Sequence, residues 1–241
     1  DYCVIENASA INNDRVAANI TCHQTNLPTM TNCTIRNSSG YGVYFYASSP
    51  QISNVVFQAN GSQDVYCVDS SPSLNGCSFI AGSHLGIDVS SVSSAPSVFG
   101  CALSGQGSYA FRTSPNSRLE NITLSGYTLG VELMGGGITT SRTWSALSQG
   151  LAYVISGDVI VYNDATLTIN AGAVLKFADG ASLVIANYNA GSSGANAGLL
   201  KAVGTSSARI TFTSLSGESG GWKGIYFGAR SDYFSGTVMD Y

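Results

Sequence analysis

Apolar residues along this chain come in short alternating beats separated by turn residues, not in the three-and-four spacing of an amphipathic helix. Five prolines mark the rhythm. Pro28, Pro50, Pro72, Pro96 and Pro115 stand 22, 22, 24 and 19 residues apart. The same short phrase follows each of them. Its five versions run Met30-Thr31-Asn32-Cys33-Thr34-Ile35, Ile52-Ser53-Asn54-Val55-Val56-Phe57, Leu74-Asn75-Gly76-Cys77-Ser78-Phe79, Val98-Phe99-Gly100-Cys101-Ala102-Leu103 and Leu119-Glu120-Asn121-Ile122-Thr123-Leu124. A second apolar beat comes seven or eight residues later, at Val43, Val65, Ile87, Phe111 and Val131.

A coil of this length with two or three short strands cannot bury its own inward side chains. Stacked coils bury them against the same position of the next coil. The pattern therefore predicts an all-β fold, a right-handed parallel β-helix of about ten coils with roughly 22 residues per coil. The hand follows from the preference of parallel crossovers. Met30, Ile52, Leu74, Val98 and Leu119 should form one inward ladder, and Ile35, Phe57, Phe79, Leu103 and Leu124 another. The column Asn32, Asn54, Gly76, Gly100, Asn121 falls where strands must bend, and Asn and Gly are the residues that tolerate positive φ.

From Trp144 onward the beat tightens to about 8 residues, with Gly, Asn and Asp between strand-like runs. These runs are Ala152–Ile155, Val159–Tyr162, Leu167–Asn170, Val174–Phe177, Leu183–Ala186, Leu199–Val203, Ile210–Thr213, Gly224–Phe227 and Thr237–Tyr241. The Asn-, Gly- and Ser-rich stretch 187–198 reads as a loop bulging from a corner. The chain divides into cysteine-containing coils over 1–137 and further coils over 138–241. They are read as one continuous solenoid, with a break possible only near Gly135-Gly136-Gly137. The phrases Ala165-Thr166-Leu167-Thr168-Ile169-Asn170-Ala171-Gly172-Ala173-Val174-Leu175-Lys176-Phe177 and Gly221-Trp222-Lys223-Gly224-Ile225-Tyr226-Phe227 resemble secreted microbial right-handed parallel β-helix repeat proteins. So does Ile210-Thr211-Phe212-Thr213-Ser214. The resemblance implies the fold and a cell-surface setting. It implies no particular reaction, because adhesins, surface proteins and polysaccharide-active enzymes share such repeats.

Composition fits that picture. Apolar residues make up 44% of the 241 and charged residues only 10%, with 28 Gly. Ser, Thr, Asn and Gly supply the wet surface, as in turn-rich β proteins. The net charge is −4 with no basic patch, which argues against nucleic acid as a partner. No apolar run approaches the length of a membrane span. Cys3, Cys22, Cys33, Cys67, Cys77 and Cys101 all precede residue 102. None makes a CxxC pair and there are only two histidines, so no metal and no cofactor is indicated. Cys33, Cys77 and Cys101 alternate with Val55 and Ile122 in one column, as buried thiols do. A bridge between Cys77 and Cys101 is the competing reading. Cys3 with Cys22 is the disulfide candidate, closing a loop outside the regular ladder.

Catalysis on this fold requires clustered carboxylates. One column offers them: Asp88, Arg112 and Glu132 follow the second apolar beat of successive coils and should face outward. An alternating-charge ladder that steadies neighbouring strands is the preferred reading, since the preceding coils carry Tyr44 and Tyr66 in that column. Tyr44 and Tyr66 precede them in the column and form a candidate carbohydrate-binding strip. His23 and His84 are far apart in coil position, so no triad is suggested. N-x-S/T sequons stand at Asn7, Asn19, Asn32, Asn37, Asn60 and Asn121. Asn7, Asn19, Asn37 and Asn60 are the glycosylation candidates.

The expected role is an extracellular structural protein and not an enzyme: a subunit of a surface fibre, sheath, surface layer or adhesin stalk. A carbohydrate-binding or polysaccharide-cleaving β-helix is the alternative. Both ends of the sequence carry Asp-Tyr. Joining Tyr241 to Cys3 restores a strand phrase, which predicts tandem copies or end-to-end self-association, with glycans as a further possible partner.

Overall fold

The computed structural model describes residues 2–9, 16–25, 29–80, 84–187, 197–228 and 238–240. Pro28, most of the expected 187–198 loop and the terminal Asp1 and Tyr241 lie outside the described residues. The strands are short and all their pairings are parallel. The chain divides into two compact units, 1–131 and 132–241, with the division falling inside the strand Gly130–Leu133.

The first unit has three faces. One face holds Met30–Thr31, Gln51–Ser53, Ser73–Asn75, Ser97–Phe99 and Arg118–Glu120 in successive turns. The second holds Cys3–Glu6, Cys33–Arg36, Val56–Gln58, Ser78–Ile80, Ala102–Ser104 and Thr123–Ser125. The third holds Ala18–His23, Tyr41–Tyr46, Val65–Val68, Ile87–Val89, Tyr109–Thr113 and Gly130–Leu133. Met30 pairs with Ile52, Ile52 with Leu74, Leu74 with Val98 and Val98 with Leu119, a turn of 21 to 24 residues. The Ile35, Phe57, Phe79, Leu103, Leu124 ladder is likewise in register. So are Val43, Val65, Ile87 and Phe111. Every one of these side chains is buried. Phe57 and Phe79 stack with centroids 4.9 Å apart and planes 8° from parallel.

The corner column behaves as its residue types demand. Asn32, Asn54, Gly76, Gly100 and Asn121 have φ of 54°, 53°, 61°, 61° and 52°. That is the left-handed region that Asn and Gly enter at least cost. The corner amides still pair between turns, Asn54 N to the Asn75 carbonyl at 2.9 Å and Gly76 N to Phe99 at 2.9 Å. The chain thus turns sharply while these corner amides stay paired.

The second unit repeats the plan with longer strands. Gly136–Ile138, Val159–Val161, Ser182–Asn187 and Gly224–Gly228 form one sheet. Arg142–Trp144, Ala165–Ile169, Gly198–Val203 and Val238–Asp240 form another. Ala152–Ile155, Val174–Phe177 and Thr211–Ser214 stack as a third. Its core holds Ile138, Val161, Leu167, Ile169, Leu175, Phe177, Leu183 and Leu200. Trp222 stacks on Phe177 with centroids 4.2 Å apart, so one face of its ring is covered by protein. Among the described residues, five turns of the first unit and three of the second carry a strand on every face. That is fewer complete turns than the expected ten, because insertions lengthen the turns of the second unit: the register advances 33 residues from Ala165 to Gly198 and 37 from Val174 to Thr211.

Candidate functional site

The polar features of the first unit lie in three columns, two inside and one outside. The outer column belongs to the face that includes Tyr41–Tyr46 and Val65–Val68. Tyr44 pairs with Tyr66, Tyr66 with Asp88 and Asp88 with Arg112. Alternation along each strand turns these four away from the core while Val43, Val65, Ile87 and Phe111 point inward. Tyr41 and Tyr66 stack at 4.7 Å, and Tyr44 and Tyr66 at 5.7 Å. On the same face His23 stacks on Tyr46 at 4.6 Å. Burial holds the Tyr41 and Tyr44 hydroxyls above their ordinary pKa, with the neighbouring Tyr66 adding to the effect.

Asp88 closes this strip. Its side chain is only 2% exposed and takes a two-pronged contact from Arg112, Nε to Oδ1 at 2.8 Å and Nη2 to Oδ2 at 3.0 Å. Gln63 Nε2 donates to Oδ2 at 3.2 Å. A carboxylate held at both oxygens is organised as a strut. A hydrolytic carboxylate needs a second acid across a substrate gap of about 5 to 9.5 Å. The third member of the expected column, Glu132, belongs to the second unit.

The first inner column is serine. Ser48 N donates to Ser70 Oγ at 3.0 Å, and Ser70 N to Ser94 Oγ at 2.8 Å. Two of the hydroxyls also reach back to their own turn, Ser48 Oγ to the Tyr46 carbonyl and Ser70 Oγ to Val68. All three serines are buried. Sequence reasoning passed over them, although the signal is there: Ser48, Ser70, Ser94 and Thr113 each stand two residues ahead of a proline.

The second inner feature is a lone acid. The residues just ahead of the inward beat are Gly42, Asp64, Gly86, Ala110 and Gly130, so Asp64 occupies a column otherwise reserved for the smallest side chains. It is 2% exposed. Asn60 Nδ2 donates to its Oδ1 at 2.7 Å, while Oδ2 has no hydrogen-bond partner. Burial pushes the Asp64 carboxyl up to about 7, although the Asn60 hydrogen bond pulls the other way. Tyr127 is another buried group here with an unpartnered oxygen. Its hydroxyl is pushed up to about 12, first by burial and then by the charge of Asp64. Gly105 makes room for it, since a Cβ at that position would stand 2.7 Å from the hydroxyl. Asp64 and Tyr127 escaped the sequence reading; the one charged residue in a glycine column was the available sign.

The remaining candidates separate cleanly. All six cysteines are free thiols. The register sets Cys3 opposite Cys33, not Cys22. Cys22 instead pairs with Phe45 and is buried. Cys77 and Cys101 lie in successive turns, with Cys77 N donating to Cys101 Sγ at 3.4 Å. Asn7 and Asn37 are exposed at left-handed bends, φ 64° and 54°. Asn19 and Asn60 use their amide nitrogens inside the fold, toward the Arg36 carbonyl at 2.8 Å and toward Asp64.

Stacked parallel turns, inward apolar ladders and left-handed corners define a β-solenoid. Residues 2–190 match the family described as the right-handed β-helix region, and the chain belongs to that family. No curated protein and no solved structure matches the chain.

Proposed function

We propose that the chain is a structural element of the cell exterior that assembles with further copies of itself. The observation that carries this reading is the in-register stacking of the inward ladders from turn to turn, with Met30, Ile52, Leu74, Val98 and Leu119 in one buried column. Interior ladders that run from turn to turn supply the stiffness of a building unit. Low charge and the exposed sequons at Asn7 and Asn37 suit a surface setting. Electron microscopy of the native material tests this. Filaments or sheets with a regular axial repeat, built from turns spaced about 4.8 Å apart, support it. Dispersed single particles at high concentration count against it.

A second reading rests on the tyrosine strip. Tyr41, Tyr44, Tyr66 and His23 with Tyr46 place aromatic edges, hydroxyls and the Asp88–Arg112 pair on one outer face. Aromatic surfaces mixed with planar polar groups suit sugar rings. The rings stack on one another, so they offer edges and hydroxyls more than open faces. Retention on immobilised polysaccharide that Tyr66→Ala abolishes would favour this reading.

A further inference from the structure

Four of the six cysteines share one column of the first unit. Cys3 is the register partner of Cys33. One residue ahead of the stacked positions Thr34, Val56, Ser78, Ala102 and Thr123, the same register lines up Cys33, Val55, Cys77, Cys101 and Ile122. The cysteines of this column therefore stand as adjacent pairs, Cys3 with Cys33 and Cys77 with Cys101, and Val55 separates them. Cys22 and Cys67 belong to a different face, where Phe45 pairs with both and lies between them. Two strand spacings keep that pair about 9.6 Å apart. A disulfide needs Cα atoms within about 7 Å, so Cys22 and Cys67 are out of each other's reach.

Cys77 and Cys101 sit deep in the stack, between the turns that carry Val55 and Ile122. Each is 1% exposed. Their strands Ser78–Ile80 and Ala102–Ser104 are parallel neighbours, and the Ala102 amide donates to the Cys77 carbonyl at 3.0 Å. In-register neighbours of this kind stand about 4.8 Å apart, inside the range a disulfide spans. The side chains already approach each other. The Cys77 amide donates to Cys101 Sγ at 3.4 Å, and Cys101 Sγ lies 3.6 Å from the carbonyl oxygen of Leu74, in the turn that carries Cys77. Hydrogen bonding between the two thiols draws Cys77 below the ordinary thiol range.

We propose that Cys77 and Cys101 close a disulfide that staples two successive turns of the solenoid. The structure holds the reduced form, with both sulfurs as free thiols. The oxidant is a low-molecular-weight disulfide. The Cys77 thiolate attacks one of its sulfurs, which forms a mixed disulfide and releases one thiolate. The Cys101 thiolate then attacks the Cys77 sulfur and releases the second. The two cysteines lose two electrons and two protons, and the oxidant leaves as two thiols. Because the closed stack encloses both sulfurs, the exchange takes place while the turns assemble, and the finished stack shields the bond. The bond joins residues 24 apart, one full turn, and so restricts the unfolded chain. The pairing rests on strand register alone; the oxidising surroundings rest on the exterior setting proposed above.

Refolding of the full 241-residue chain in oxidised and reduced glutathione, then acid quench, alkylation and peptide mapping without reductant, tests the pairing. A Cys77–Cys101 linked peptide is expected, with Cys22 and Cys67 alkylated. A stability readout uses the Cys3→Ser/Cys33→Ser background, which leaves Cys77 and Cys101 as the adjacent pair. Oxidation there should shift the unfolding equilibrium toward the fold by about 100-fold, read as a higher urea midpoint. Adding Cys101→Val, a residue type the column already holds at Val55, should abolish that shift. Cys77 and Cys101 both alkylated after oxidative refolding, Cys77 linked to another cysteine, or a urea midpoint that ignores oxidation overturns the proposal. The same mapping on native material, alkylated at harvest, tests the setting separately: thiols free there but linked on refolding overturn the exterior setting and leave the pairing standing.

Discussion

Replacing Asp64 by asparagine should make the protein more stable at pH 8 and leave it nearly unchanged at pH 4. In the fold the carboxyl is pushed up to about 7 from an ordinary value near 3.8. The folded state therefore holds its proton more tightly than the unfolded state. Below about pH 4 both states are protonated and the group is neutral with respect to folding. Between about pH 4 and 7 the unfolded chain ionises while the folded one resists, and stability falls. Above about pH 7 the loss is complete. A difference of about 3 pH units, at about 1.4 kcal/mol each, makes that loss about 4 kcal/mol. The asparagine side chain would keep the shape and an oxygen for the Asn60 donor but carries no charge to desolvate. Urea unfolding of wild type and Asp64→Asn, compared at pH 4, 6 and 8, isolates this group from the other carboxylates. A difference between the two proteins that does not change with pH would refute the reasoning, since a cost from burying charge must vanish when the charge does.

Other outcomes follow from the same columns. Ser70→Ala removes the acceptor of the buried Ser48 amide and should cost about 1 to 3 kcal/mol in chemical denaturation. Arg112→Ala leaves the buried Asp88 carboxylate without its two-pronged partner; with the arginine itself 39% exposed, the expected loss is about 2 kcal/mol, read the same way. Alkylation of the native protein followed by peptide mass spectrometry should label Cys3 and Cys33 well before Cys67, whose thiol is fully enclosed and whose pKa burial drives far upward. Mild oxidation should join Cys3 to Cys33 across adjacent turns in preference to Cys22.

The repeat phrase carried most of the fold. An inward ladder needs only an apolar residue at a fixed phase, and a left-handed corner needs only Asn or Gly, so both are properties of residue type and spacing. That is why Met30, Ile52 and Leu74, or Asn54 and Gly76, could be placed before any coordinates. The same reasoning set Asp88 beside Arg112, because side chains at one phase of stacked strands must be neighbours.

What tertiary structure decided was depth and partner. Whether an outward residue is wet depends on the loops and side chains around it, and Asp88 turned out buried beneath Arg112 and Gln63. The environment of Asp64 is set by its burial and by the nearby Asn60 amide, and the spacing of the chain alone does not reveal that depth. Cys3 finds Cys33 and not Cys22 because strand register, which the cysteine spacing does not encode, sets Cys3 opposite Cys33 and leaves Cys22 buried on another face. Spacing along the chain fixes which column a residue joins; only the folded stack fixes how much water and which charges that column sees.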